Sequence, residues 1–245
     1  MRAGFDYLRD RQGKFEPKTP SSAIKAFEAR LLPIEAFINM GTSIKPLDEE
    51  PYDLDEIERV LAREDLDIET NLLLMRLFER MIKVEDVEIA LFAAESINLI
   101  ENRYNKKIEA VKKEQDDSST AALAALSRLY YELAQLHESA ASIKNFYLRE
   151  AHAHLVRLIK NGNPGKKDVG RLINIFIQFG KYENALKILK HYGDEKDTYF
   201  LWLKAELEFK KRNYIGIFQI CTWLMQREDQ LDSGERRLLA YWLGH

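Results

Sequence analysis

From residue 53 onward, apolar side chains recur three and four positions apart, the spacing that lays one stripe along a helix. Asp53 stands before Leu54-Asp55-Glu56 as a cap, with Glu56 placed to reach back over the first turn, so a helix begins there. A short charged turn then divides Leu72, Leu73, Met75, Leu77, Phe78 and Ile82 from Val87, Ala90, Leu91, Ala94, Ile97 and Ile100. The two sets predict two helices, each with one buried face. The second continues through Arg103, Lys106, Ile108 and Lys113 and ends near Gln115-Asp116-Asp117-Ser118-Ser119, the best candidate boundary in the chain.

Beyond Ser119 the pattern repeats. Tyr130, Tyr131, Leu133, Ala134 and Leu136 form one helix; Phe146, Leu148, Ala151, Leu155 and Leu158 form the next, which Asn161-Gly162-Asn163-Pro164-Gly165 ends. Val169, Leu172, Ile173 and Phe176 pair with Ala185, Leu186 and Leu189. Leu201, Ala205 and Phe209 pair with Tyr214, Ile217, Ile220 and Leu224. At the elbow of the middle pair, Gly180 permits a tight turn, Tyr182 fills the space beside it, and the small Ala185 lets the second helix press on the first. Ala151 and Ala185 are 34 residues apart and Tyr182 and Tyr214 are 32 apart, so two independent positions give nearly one register. Asp232-Ser233-Gly234-Glu235 then caps a last helix over 236–243, with Leu238, Leu239 and Trp242 on one side, suited to seal the open end of a stack.

Ahead of residue 53, Ser21 and Ser22 offer a cap for a helix over 23–39, and Pro46 and Pro51 break the chain in an acidic loop. Residues 1–20 read as an extended or mobile lead-in. The expected organisation is therefore a lead-in over 1–20, a helical region over 21–115, and repeats with a capping helix over 116–245.

Composition narrows the function. With 46% hydrophobic and 31% charged residues in 245, the chain can bury a sizeable core and is not a disordered polymer. Pro164 is the one proline after residue 51, so long helices are unobstructed. A net charge of −3 supplies no field that draws phosphate backbones or anionic lipid. No run approaches the roughly 20 apolar residues of a membrane span, and the start Met1-Arg2-Ala3-Gly4-Phe5-Asp6 lacks a signal-peptide core; a soluble chain is expected. The single Cys221, in the apolar run around Ile220, makes no internal disulfide and reads as a small buried hydrophobe in a reducing compartment.

The sequence contains no phosphate loop, dinucleotide fingerprint, nucleophile elbow or His-Glu-x-x-His motif. His152 and His154 stand about 200° apart on a helix, which defeats a two-histidine metal grip. Glu69, Glu95 and Glu101 are the carboxylates that an α-helical glycoside-acting enzyme would draw on, but no acid and base pair stands out among them. Cys221 with His191 makes a poor nucleophile pair, since apolar surroundings hold a thiol neutral. Arg103, Lys106, Lys107, Lys112 and Lys113 alternate with glutamates around their helix and read as a solvated surface. Phe209-Lys210-Lys211-Arg212-Asn213-Tyr214 interleaves aromatics with basic residues as an RNA-binding repeat would, yet Phe209 and Tyr214 fall at packing positions. No catalytic group, metal, cofactor or nucleic acid is expected.

With its elbow Gly180-Lys181-Tyr182, Ala185 and the spacings of 34 and 32, the region over 126–224 resembles the tetratricopeptide repeat family, whose period is about 34 residues. The family's tryptophan is replaced by Val169 and Leu201, Tyr192 stands where a small residue is usual, and the repeat-ending proline is missing. Together with the run over 87–97, whose paired Ala93 and Ala94 resemble the second helix of a HEAT-type pair, the resemblance implies an all-α, right-handed α-solenoid of antiparallel helix pairs, HEAT-like up to about 115 and tetratricopeptide-like afterwards. It also implies a groove lined by the first helix of each pair that grips a protein partner. Carried over, that groove shows Asn174, Ile177 and Gln178 from one helix and Tyr199, Trp202, Glu206 and Lys210 from the next. A packing role for Ile177 and Trp202 is the competing reading, and exposed groove residues also suit a homo-oligomer.

A narrower resemblance rests on residues 87–108, followed by Leu129-Tyr130-Tyr131-Glu132-Leu133-Ala134. This layout is similar to the cytosolic region of the E-component family of the bacterial Pel exopolysaccharide machinery. It implies a non-catalytic scaffold in an inner-membrane biosynthesis and export complex of biofilm polysaccharide, with other protein subunits as partners and a cytoplasmic location. In that family amino-terminal membrane helices supply the anchor; this chain shows none and would correspond to the soluble part.

Overall fold

The computed structural model describes residues 52–64, 66–114, 119–162, 164–194 and 196–243. The lead-in expected over 1–20 and the helix expected over 23–39 lie outside the described residues. Among the described residues the protein is all-α, with ten α-helices, a short 3-10 turn and no strand. Contacts divide it into two compact units, Met1–Asp67 and Ile68–His245.

In the first unit, α1 spans Leu54–Leu61 and starts as its sequence dictates: the Asp53 carboxylate accepts from the Glu56 backbone N–H at 3.1 Å. The second unit holds α2 (Ile68–Met81), α3 (Val87–Glu114), α4 (Thr120–Leu136), α5 (Ala141–Asn161), α6 (Lys166–Gln178), α7 (Tyr182–Tyr192), α8 (Thr198–Lys210), α9 (Tyr214–Met225) and α10 (Ser233–Leu243). Consecutive helices pack as the hairpins α4/α5, α6/α7 and α8/α9, and each hairpin leans on the next through α4 with α6, α5 with α6, α6 with α8 and α7 with α8. The helices α3 and α4, on either side of the segment over 115–118, pack against each other.

The buried faces differ in part from the apolar sets read along the chain. In α2 the core side is Leu74, Met75, Leu77, Phe78 and Met81, while Leu73 is 66% exposed and Ile82, just beyond the helix, is also exposed. In α3 it is Ala93, Ser96, Ile100, Tyr104 and Ile108, with Val87 and Leu91 exposed. Both helices are apolar on more than one side, so three- and four-residue spacing fits two stripes and only packing selects one. Phe146 and Leu238 are likewise exposed.

A polar knot ties the first three helices of this unit. The Tyr104 hydroxyl of α3 is pushed well above the usual phenol range, first by burial and then by the charge and hydrogen bond of Glu132 from α4; Asn71 of α2 bonds it and pulls the other way. At the far end, the Asp232 carboxylate accepts from Glu235 N–H at 2.8 Å and the Glu235 carboxylate accepts from Asp232 N–H at 3.0 Å, a complete capping box. That box starts α10, which seals a small core of Leu201, Ile217, Ile220, Cys221, Leu224, Leu231 and Leu239. Cys221 is fully buried there, and burial pushes its thiol up, away from reactivity.

Candidate functional site

The helices α4, α6 and α8 are the first members of three successive hairpins, and their mutual contacts place residues far apart in sequence on neighbouring rods. The approach of α8 to α6 depends on a missing side chain. A Cβ added at Gly170 of α6 would lie 2.6 Å from Cζ of Tyr199, so only glycine lets that ring lie down on α6. Tyr199 is fixed from its other side as well. Asp197 caps α8 by accepting from Tyr199 N–H at 2.9 Å, and it also accepts from Lys166 Nζ at 2.7 Å, leaving that ammonium 5.2 Å from the Tyr199 ring centroid.

Behind Tyr199, Arg171 donates to Asp168 at 2.7 Å in a pair whose side chains are 17% and 13% exposed. Arg171 acts on both Tyr131 and Tyr199, lowering each tyrosine's pKa against the larger raising effect of burial. The Asn174 side chain adds a hydrogen bond that favours ionised Tyr131, again a smaller effect than burial.

Each of the expected surface residues can now be placed. On α6, Asn174 is half-buried and Gln178 exposed, one helical turn apart; on α8, Trp202, Glu206 and Lys210 follow one another at four-residue spacing. Glu206 and Lys210 are exposed, and Tyr199 and Trp202 are half-buried. Ile177 is buried at 3% exposure and faces the packing side of α6, so it is not offered to a partner; its apolar character is consumed by the core. Trp202 packs in part against the core beneath α10, so it serves packing at least in part. Crowding around Glu206 pushes its carboxyl above the ordinary range, and Lys210 one turn away offsets this in part.

Two polar atoms in this region are buried and have no hydrogen-bond partner among the described residues: the acceptor Asn174 Oδ1 and the donor Trp202 Nε1. Leaving such an atom unsatisfied costs about 1–3 kcal/mol. Both stand on helices that touch, α6 and α8. The sequence reading missed Tyr131 and Arg171. Their only signal was position, since Tyr131 lies on the first helix of the preceding hairpin and Arg171 one turn before Asn174.

Other candidates fare differently. Glu69 and Glu95 are exposed, and Glu101 lies 3.2 Å from Nε2 of the buried His137, which itself stacks on Tyr147. Phe209 and Tyr214, expected in packing positions, are 46% and 57% exposed. Phe209 meets Trp242 edge to face at 5.9 Å, while the elbow beside Tyr214 closes through backbone hydrogen bonds and leaves its ring outside. Among the described residues, no three His, Cys, Asp or Glu side chains converge as a metal set, and no helix is long and apolar enough to cross a membrane. Comparison of the chain with family models, with curated proteins and with solved structures found no match in any of the three.

Proposed function

We propose that the protein is a non-catalytic protein-interaction scaffold that grips an extended peptide segment of a partner across α6 and α8. The observation that carries this reading is the pairing of an unpartnered acceptor, Asn174 Oδ1, with an unpartnered donor, Trp202 Nε1, on adjacent helices. Both atoms are buried in the free chain, so a peptide main chain supplies the complementary N–H and C=O only as α6 and α8 part to admit it. Gln178, Glu206 and Lys210 beside them provide the polar contacts that set partner preference, and Tyr199, held by Gly170 and Lys166, provides a rigid wall.

The finer architecture proposed is a right-handed solenoid, HEAT-like up to about 115 and tetratricopeptide-like beyond. It is supported by the consecutive hairpins, by their chain of neighbour contacts, and by the near-constant spacing of equivalent positions. The proposed setting is a bacterial exopolysaccharide synthase complex of the Pel type, at the cytoplasmic face of the inner membrane. That part rests on the residues over 87–108 and 129–134 and on no structural observation.

Selection from a displayed library of random dodecapeptides tests the binding reading. Peptides enriched on the wild-type chain and lost on Asn174→Leu and Trp202→Phe support it. Failure to enrich any peptide, or enrichment indifferent to both substitutions, overturns it.

A further inference from the structure

We infer that the protein self-associates as a two-fold dimer in which α9 of one copy packs antiparallel against α9 of a second. The helix α9 has no Asp, Glu, Lys or Arg along its length. Its inner side, Ile217, Ile220, Cys221 and Leu224, is spent on the core beneath α10. On the opposite side, Ile215, Phe218, Thr222 and Met225 fall at spacings of three, four and three, the seam by which two helices interlock knobs into holes. All four are exposed, Ile215 at 75%, Phe218 at 55% and Met225 at 50%. The Thr222 hydroxyl donates back to the Phe218 carbonyl at 2.9 Å, so its polar group is satisfied within the helix and only its methyl joins the seam.

Charge selects the occupant and the direction. Lys211 and Arg212 precede α9, and the 3-10 turn with the exposed Asp229, then the exposed Asp232, follows it. Lys211 lies 3.7 Å from Glu208 and is partly neutralised, whereas Arg212 has no ion-pair partner among the described residues. Of the cations near the acidic end, Arg227 donates at 3.4 Å to the Trp223 carbonyl, Arg236 donates to the Leu231 carbonyl at 3.1 Å, and Lys204 lies 5.6 Å from the Trp223 ring centroid. An antiparallel pair sets Ile215 against the second copy's Met225 and Phe218 against its Thr222. The same register lays Arg212 of each copy beside the turn bearing Asp229 of the other. A parallel pair would stack basic end on basic end. The surface is thus its own complement under a two-fold axis, as a homodimer contact requires.

The seam from Ile215 to Met225 is about 15 Å long at 1.5 Å per residue. Alone it covers less than the ~800 Å² per partner of a standard stable interface, so the dimer dissociates on the order of micromolar or weaker. This inference is independent of peptide binding, because it uses the outer side of α9 and none of the α6 and α8 residues.

Sedimentation of the full chain from about 1 to 500 µM tests it, together with Phe218→Glu, an exposed position whose change leaves the helical circular dichroism intact. The expected result is a monomer–dimer equilibrium that Phe218→Glu weakens by about 30-fold or more. Oxidation then reads the direction: Ile215→Cys mixed with Met225→Cys cross-links, while Ile215→Cys alone does not. A chain that stays monomeric throughout, a dimer indifferent to Phe218→Glu, or a cross-link formed by Ile215→Cys alone would overturn the inference.

Discussion

Gly180 and Arg212 hold the same left-handed backbone, at φ of 70° and 60°, in turns 32 residues apart. Each closes its helix the same way. Lys181 N–H bonds the Phe176 carbonyl at 2.8 Å and Gly180 N–H that of Ile177 at 3.0 Å; Asn213 N–H bonds Glu208 at 2.9 Å and Arg212 N–H bonds Phe209 at 2.9 Å. This double closure is the Schellman ending, and its recurrence shows that the α6/α7 and α8/α9 elbows are one design with two residues at the strained position.

The two turns should therefore respond oppositely to substitution. A Cβ at Gly180 meets nothing within 4 Å, so Gly180→Ala suffers backbone strain alone and should cost about 1 kcal/mol. Arg212→Gly relieves the same strain and should stabilise by about 0.5–1 kcal/mol. Urea denaturation measures both; a neutral Gly180→Ala would contradict this account of the elbow.

Gly170→Ala should drive the Tyr199 ring off α6, since the new methyl would overlap its hydroxyl end. The expected cost is about 1–3 kcal/mol. Adding Tyr199→Ala removes the clash, so the double variant should lose less than the sum of the two single losses in thermal denaturation. Simple additivity would mean that the two residues do not share this contact.

Tyr104→Phe leaves Asn71 and Glu132 without the hydroxyl that joins them. Removing one member of a buried polar set costs about 1–3 kcal/mol. The loss should appear as faster hydrogen exchange in α2, α3 and α4 together, with α8 and α9 unaffected.

Two groups give stability a pH dependence of opposite sign. Burial first, and then Lys181, lowers the His152 pKa from 6.5, so the folded chain binds fewer protons than the unfolded one just below that value. Stability should fall as pH drops through the ordinary histidine range, and His152→Gln should flatten that limb. Partial desolvation by crowding neighbours raises the pKa of the exposed Glu206 above 4.5, so the folded chain holds its proton longer. Stability should fall as pH rises through the carboxylate range, and Glu206→Gln should remove this slope. Denaturant titrations between pH 4 and 8 separate the two.

The helices themselves were legible because their stripes and caps are local. Asp53 and Asp232 each accept the backbone N–H that their sequence position predicts, and Ser119, read only as part of a boundary, does the same for α4. The register of the elbows was legible too, through Gly180, Tyr182 and Tyr214. Which stripe is buried was not, wherever a helix is apolar on two sides. Leu73, Leu91 and Phe218 carry the same local signal as Leu74, Ala93 and Ile217, and only the arrival of a distant helix distinguishes them. The polar core escaped for the converse reason. Asn71 and Ser96 look like surface residues, and Tyr131 like plain apolar packing, until partners from other helices are known. At the candidate site, the four-residue spacing of Trp202, Glu206 and Lys210 was readable, while the unmet Trp202 Nε1 and the depth of Ile177 needed coordinates.

The most direct measurement of the scaffold reading is the indole N–H resonance of Trp202, one of three in the chain, while a peptide enriched by display is titrated in. An indole that gains a carbonyl acceptor moves downfield, and the Asn174 side-chain amide should shift along the same isotherm. In Asn174→Leu the free protein loses the amide that bonds Tyr131 together with the unsatisfied acceptor, and the peptide-induced shift of Trp202 is lost. Peptide binding that leaves both resonances unmoved would contradict the account, as would binding that persists at full strength in the Asn174→Leu variant.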